Sequence, residues 1–153
     1  MIGLHDHLPY RGNYLSLDPN YRDVFGNPLL RLTYDIGPNE HRLSDYMVKA
    51  ATKIGEAIQP SHSAVSGLPP TFDAGAPYGI IHQVGGAMMG TSPENSVVNK
   101  YLQSWDIPNV FVVGASAFPQ LSSFNPTGTV GALAYHTADA IKNKYLPRPG
   151  PLI

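Results

Sequence analysis

Proline and glycine, 15 of each in 153 residues, are spread along the whole chain, and this constrains its folding more than any other feature. Proline removes a backbone donor and fixes φ, while glycine loosens the backbone, so the regular elements between them must be short and the turns many. The length suits one ordinary domain, and 42% hydrophobic residues are enough for a real core. No period or low-complexity block supports a repeat array.

Between these breakers a few elements stand out. Asn13-Tyr14-Leu15-Ser16-Leu17 alternates like a half-buried strand, followed by turn chemistry at Asp18-Pro19-Asn20. A second turn, Phe25-Gly26-Asn27-Pro28, leads into residues 29–35, where Leu30, Leu32 and Tyr34 would share one face of a second strand. Leu43, Met47, Ala50, Ile54 and Ala57 recur at helical spacing after Pro38, which predicts an amphipathic helix ending before Pro60. Residues 59–77 predict a long connection. Val110-Phe111-Val112-Val113 is too short an apolar run for a helix and predicts a strand buried on both faces. Asn125 suits the N-cap and Pro126 the first turn of a last helix, with Val130, Leu133, Ala134, Ala138 and Ile141 as its apolar stripe, ended by Pro147 and Pro149. The order is that of an α+β fold.

Composition removes several functions. A formal net charge of -1 with 14% charged residues leaves no basic face for nucleic acid. The lack of cysteine excludes disulfides, thiolate metal sites and a thiol nucleophile. The N-terminus has no basic region followed by an apolar one, and no run approaches the roughly 18 to 20 apolar residues of a membrane span, so a soluble chain without a signal peptide is expected.

Two constellations can carry chemistry. His82 precedes the glycine-rich stretch Gly85-Gly86-Ala87-Met88-Met89-Gly90, where glycines admit a planar ligand and an imidazole can take a proton near neutral pH. A histidine satisfied in a turn fits the same residues. The stretch is not the dinucleotide fingerprint GxGxxG, because its second glycine comes one position early. The second constellation is Gly114-Ala115-Ser116-Ala117-Phe118-Pro119 with Ser122-Ser123-Phe124-Asn125-Pro126-Thr127: small residues leaving the apolar run, then a helix start whose free amides favour an anion. Plain N-capping equally explains Asn125. A hydrolase using Ser116 or Ser122 with His82 lacks the GxSxG elbow.

His82-Gln83-Val84-Gly85-Gly86, Met89-Gly90, Ser96-Val97-Val98-Asn99, the stretch from Ile107 to Pro119, and Asn125-Pro126-Thr127 resemble, in order and spacing, the C-terminal region of glucose-methanol-choline (GMC) oxidoreductases. Within them the resemblance leans to bacterial membrane-associated sugar and sugar-acid dehydrogenases. It is sharp from about His82 to about Tyr145 and looser before. It implies substrate-domain strands, helix and loop over 1–78, and over 79–153 a catalytic segment whose strand and helix return to an FAD-binding α/β domain. His82 becomes the base that accepts the substrate hydroxyl proton, and Asn125 the group that hydrogen-bonds the substrate oxygen. Gly114, Ala115 and Ser116 approach the ribityl and phosphate side of FAD, and Pro126 and Thr127 its pyrimidine end. Many members carry an acid where this chain has Gly114. The implied substrate is a sugar, sugar acid or polyol. The implied partners are an N-terminal FAD-binding half and a cytochrome subunit, on the periplasmic side. The chain alone would then be inactive; the rival is a non-catalytic remnant or interaction module.

Other residues invite blander expectations. His5 and His7 lack a third ligand, so no metal site is expected. His136 lies off the apolar stripe of the last helix, and Trp105 suits packing. Met88 and Met89 suit either the flavin's border or the core.

Overall fold

A computed structural model describes residues 6–73, 82–121 and 124–152. The chain divides into two compact units, Met1–Pro77 and Tyr78–Ile153. Among the described residues they hold one two-stranded antiparallel sheet and two α-helices, an α+β content.

In the first unit β1 (Tyr14–Arg22) pairs with β2 (Pro28–Thr33), with Leu15 opposite Leu32 and Leu17 opposite Leu30. The turn expected at residues 18–20 does not end β1. The Asp18 carboxylate accepts the Asn20 and Tyr21 amides at 2.8 and 2.9 Å, and the chain continues through this irregularity to Arg22. Those amide bonds also hold the Asp18 carboxyl below its ordinary pKa. The reversal comes at Asp23, whose Oδ1 accepts the amides of Phe25 and Asn27. β2 stops at Thr33, so Tyr34 leaves the strand, and Leu30 and Leu32 stay 69% and 62% exposed.

Helix α1 (Pro38–Ile58) starts with proline in its first turn and ends, as expected, before Pro60, with Gln59 in the left-handed conformation. Its buried positions are polar: Glu40 and Ser44 are enclosed, whereas Ile54 and Ala57 of the apolar stripe are exposed. Ser44 Oγ accepts the Leu68 amide at 2.9 Å and Asp35 accepts the Phe72 amide at 3.1 Å, tying the connection down by hydrogen bonds. The part of that connection over 74–77 lies outside the described residues. Glu40 Oε1 accepts the Leu8 amide at 2.9 Å and stands 3.8 Å from His7 Nδ1, while His7 Nε2 lies 2.6 Å from the Tyr34 hydroxyl. His7 thus has a structural partner set; His5 lies outside the described residues. Gly37 is obligatory here, because a Cβ would fall inside the Tyr10 ring.

The second unit is built around Val98, Leu102 and Ala117, with Met89, Val112 and Leu133 packed on them. Residues 87–90 form its central strip: Ala87 and Met89 amides donate to the carbonyls of Ser116 and Ala117, and the Gly90 amide donates to Val98. The loops around this strip are held by two buried amides. Asn99 Oδ1 accepts the Tyr101 and Gln103 amides, and its Nδ2 donates to the Leu152 carbonyl at 2.7 Å. Gln103 Nε2 donates to the carbonyls of Pro108 and Gly150 at 2.6 and 2.9 Å, and its Oε1 accepts the Leu152 amide at 2.7 Å.

The doubly buried strand expected at 110–113 is not formed. Phe111 makes one isolated bridge to Gln103 and Val112 donates to Leu102, but Val110 and Val113 are 40% and 47% exposed. A strand buried on both faces needs paired neighbours along its length, and among the described residues only 102–104 meets it. The last helix, α2 (Thr127–Ala140), also starts later than expected. Pro126 is its N-cap residue, and no side chain caps it. Val130, Leu133, Ala134 and Ile141 are partly buried, but Ala138 of the expected stripe is exposed, and Thr137 and Ala140 are the buried positions. The helix runs on through the π-helical turn Ile141–Tyr145 before Pro147. No described helix is long and apolar enough to cross a membrane.

Two outcomes test this account. Asn99→Ala leaves buried amides without an acceptor and should cost about 3 kcal/mol in denaturant unfolding, while the exposed Lys142→Gln stays within about 0.5 kcal/mol. The Glu40 carboxyl is pushed up by burial, but the Leu8 amide, Tyr10 and the nearby His7 outweigh this and leave it below its ordinary value of 4.5. A depressed folded pKa adds stability that is present above the ordinary value and lost as pH falls through the folded one. Urea midpoints should therefore fall in wild type on acidification from about pH 5 to about pH 2, whereas Glu40→Gln starts lower at neutral pH and changes less.

Candidate functional site

The strip after His82 is fixed by its neighbours. Its amides at Ala87 and Met89 are taken by the segment 115–118, whose short 3-10 turn Ala115–Ala117 follows Gly114. Gly114 has φ +141, a conformation that L side chains rarely adopt, and open space where a Cβ would be. A residue with a side chain at this position would be strained by the backbone conformation, although space for a Cβ is open.

Beside this junction, within the second unit, a cleft of about 470 Å³ opens. Met89, Phe118, Leu121, Asn125, Pro126 and Leu133 are among its walls, and none of the lining residues is ionisable. Met89 packs on the core, one of the two roles expected of it, and also borders the cleft. Asn125 and Pro126 reach the cleft from the start of α2, where Val130 makes the first bond back to the Pro126 carbonyl. The amides of the first turn have no intrahelical acceptor and leave a partial positive charge there. Thr127 is the first residue of α2.

Asn125 is exposed and does not cap the helix; it makes no hydrogen bond among the described residues, so its amide is available. His82 is partly exposed, carries φ +63 and likewise makes no hydrogen bond to a described residue. A histidine satisfied in a turn does not describe it. A non-glycine residue in the left-handed region is uncommon and concentrates at functional sites. His82 is not among the residues lining the cleft; the structure brings together Asn125 and Pro126 with Met89, and ties Ser116 to Ala87. Of the remaining candidates, Gly114 and Ala115 lie at the 3-10 turn, and Ser122 lies outside the described residues.

Periodicity could not find Asn99 and Gln103, because their value lies in reach to distant backbone groups, not in spacing. Only the recurrence of Asn99 in the motif Ser96-Val97-Val98-Asn99 hinted at it. Trp105 is a packing residue, with Nε1 donating to Ser96 Oγ at 2.9 Å.

Comparison with known proteins gives this arrangement its context. The C-terminal GMC oxidoreductase family matches residues 9–134. The gluconate 2-dehydrogenase flavoprotein of Pantoea cypripedii is 52% identical over 96% of this chain and 24% of its own length. The 2-methyl-1,2-propanediol dehydrogenase of Mycolicibacterium austroafricanum is 34% identical over 90% of the chain and 24% of its own length. The fructose dehydrogenase large subunit of Gluconobacter japonicus is 32% identical over 91% of the chain and again 24% of its own length. The chain thus spans about a quarter of these relatives. With its glycine-rich strip, its helix-start cleft and a family match over most of its length, the chain belongs to the GMC oxidoreductases.

Proposed function

We propose that this chain is the C-terminal portion of an FAD-dependent oxidoreductase that oxidises the CH–OH group of a sugar, sugar acid or polyol, with His82 as the base. The observation that carries this reading is the pair of unpartnered side chains. His82 and Asn125 are the two positions that the family pattern assigns to the substrate, and neither spends its polar atoms on a described residue.

Alcohol oxidation must take a proton from oxygen and a hydride from the adjacent carbon. A neutral imidazole at His82 accepts the hydroxyl proton, and the Asn125 amide donates to the oxygen as negative charge develops on it. The cleft beside Asn125 has no ionisable lining residue, so no competing protein charge would stand next to that oxygen. FAD, when bound, supplies the hydride acceptor.

The residues present fit part of that cofactor. The first turn of α2 offers the Thr127, Gly128 and Thr129 amides, which have no intrahelical acceptor and suit negative charge on a reduced flavin's pyrimidine end, while Pro126, which has no N–H, would border it. Gly114, Ala115 and Ser116 would border the ribityl and phosphate side, where the open space around Gly114 admits close approach. These 153 residues do not contain the dinucleotide fingerprint, so an N-terminal FAD-binding portion would hold most of the FAD, and these residues by themselves would be inactive. The 1–78 portion would then supply substrate-domain structure and 79–153 the catalytic segment. A cytochrome subunit as electron acceptor, on the periplasmic side, follows from the resemblance; the Gluconobacter japonicus relative is itself named a large subunit.

Co-expression with the FAD-binding portion of a GMC flavoprotein tests this reading. Flavin absorbance and dye-linked turnover on sugar acids and polyols should appear, and His82→Ala should lower kcat by about a thousandfold with flavin retained. Asn125→Ala should lower it by about a hundredfold. A folded, flavin-loaded pair whose turnover survives His82→Ala would remove the histidine from its role. A folded pair with neither flavin nor turnover would leave the chain as an interaction module.

A further inference from the structure

In the second unit, Tyr101 gathers cations that nothing in the proposed reaction uses. Its ring is 9% exposed and is fixed by the bond from its amide to the buried Asn99 Oδ1 at 2.9 Å. Lys144 Nζ donates to the Tyr101 hydroxyl at 2.7 Å and lies 4.5 Å from the ring centroid, and Lys100 Nζ lies 5.2 Å from the same centroid. His136, from α2, stacks on the ring at 5.6 Å with the planes 18° apart.

The donors here outnumber the acceptors. Two ammonium groups carry six N–H bonds between them, and the phenol keeps its own O–H after accepting from Lys144. Among the described residues neither lysine forms an ion pair, and the Tyr101 O–H has no acceptor. The nearest carboxylate along α2, Asp139, is engaged by Asn143 Nδ2 at 2.6 Å. Cations are favoured at a helix C-terminus, which suits Lys142 and Lys144 as residue types. That preference does not explain an ammonium directed at a phenol, nor Lys100, which comes from a loop. The ring face attracts both ammonium groups, and two like charges drawn to one ring form a local positive field that favours an anion beside them.

We propose that Tyr101, Lys100 and Lys144, with His136 beside them, form a binding site for a phosphate group, free or as a phosphomonoester. Both ammonium groups and the phenol O–H would donate to its oxygens, in the charge-assisted bonds that such a group favours. The phenol is held below its ordinary pKa, first by the Lys144 hydrogen bond and further by the Lys100 charge, against the opposing effect of burial; this is the field an anion would meet. The site is independent of the flavin chemistry and stands or falls separately.

The test is an NMR titration of the 153-residue chain at constant ionic strength, with inorganic phosphate in one arm and glycerol 3-phosphate in the other. Saturable shifts at residues 100, 101, 136 and 144 are expected, and the arm that saturates at lower concentration identifies the source. Lys144→Gln should weaken binding by about tenfold, Tyr101→Phe by less, and Lys144→Arg should restore most of it. Trp105 fluorescence reports folding in each variant, and the exposed Lys100→Gln carries the test if Lys144→Gln unfolds. Shifts that stay linear, that appear equally at Lys49 and Lys53, or that saturate unchanged in folded Lys144→Gln or Lys100→Gln would overturn the site.

Discussion

The second unit depends on the pair of buried side-chain amides at Asn99 and Gln103. Residues 96–112 contain no regular element, only isolated bridges and turn bonds, so part of their backbone must be satisfied by side chains, because unpaired buried N–H and C=O groups are costly. Asn99 and Gln103 take up six backbone groups: the amides of Tyr101, Gln103 and Leu152 and the carbonyls of Pro108, Gly150 and Leu152. Once they are held, Val98 and Leu102 must point into the interior, where both are fully buried. Leu102 does so with φ +60, a conformation that the surrounding bonds impose.

From that core the candidate site follows. Val98 accepts the Gly90 amide, the strip 87–90 carries Met89 onto the core, and the other edge of the strip takes the carbonyls of Ser116 and Ala117. Phe118 and Met89 then stand as walls of the cleft that Asn125 and Pro126 close from α2. Close contact enforces this sequence of steps: a side chain at Gly90 would place its Cβ 2.6 Å from that of Ser96, whose hydroxyl holds Trp105. Function and stability therefore meet in the same few backbone bonds.

The first unit is organised on another principle. Its enclosed residues, Glu40 and Ser44, are polar and act as acceptors for the amides of Leu8 and Leu68, while leucines of both strands remain exposed. Apolar periodicity predicted the extent of α1 well, because proline at its start and before Pro60 bounds any helix there. It misjudged the packed face, because Glu40 and Ser44 are enclosed there as acceptors for the Leu8 and Leu68 amides, which apolar spacing does not register. The same limit applies to residues 110–113. Hydropathy registers that the run is apolar, but whether such a run becomes a strand depends on neighbours elsewhere in the chain, and only 102–104 offers one.

Local chemistry by itself determined the reversal before β2, the two helices, the exclusion of thiol chemistry and the family, since these rest on residue types and short spacings that need no partner. It also singled out His82, Asn125 and the glycine-rich strip as residues of interest. What only the tertiary structure decided was which polar side chains are engaged: that Asn99, Gln103 and Glu40 hold the backbone, that Asn125 does not cap its helix, and that Tyr101 gathers two lysines and a histidine. The physical reason is one of range. Hydrogen bonds that join residues about fifty positions apart, as those from Asn99 and Gln103 to Leu152 and Gly150 do, leave no trace in any local pattern and exist only once the chain has folded.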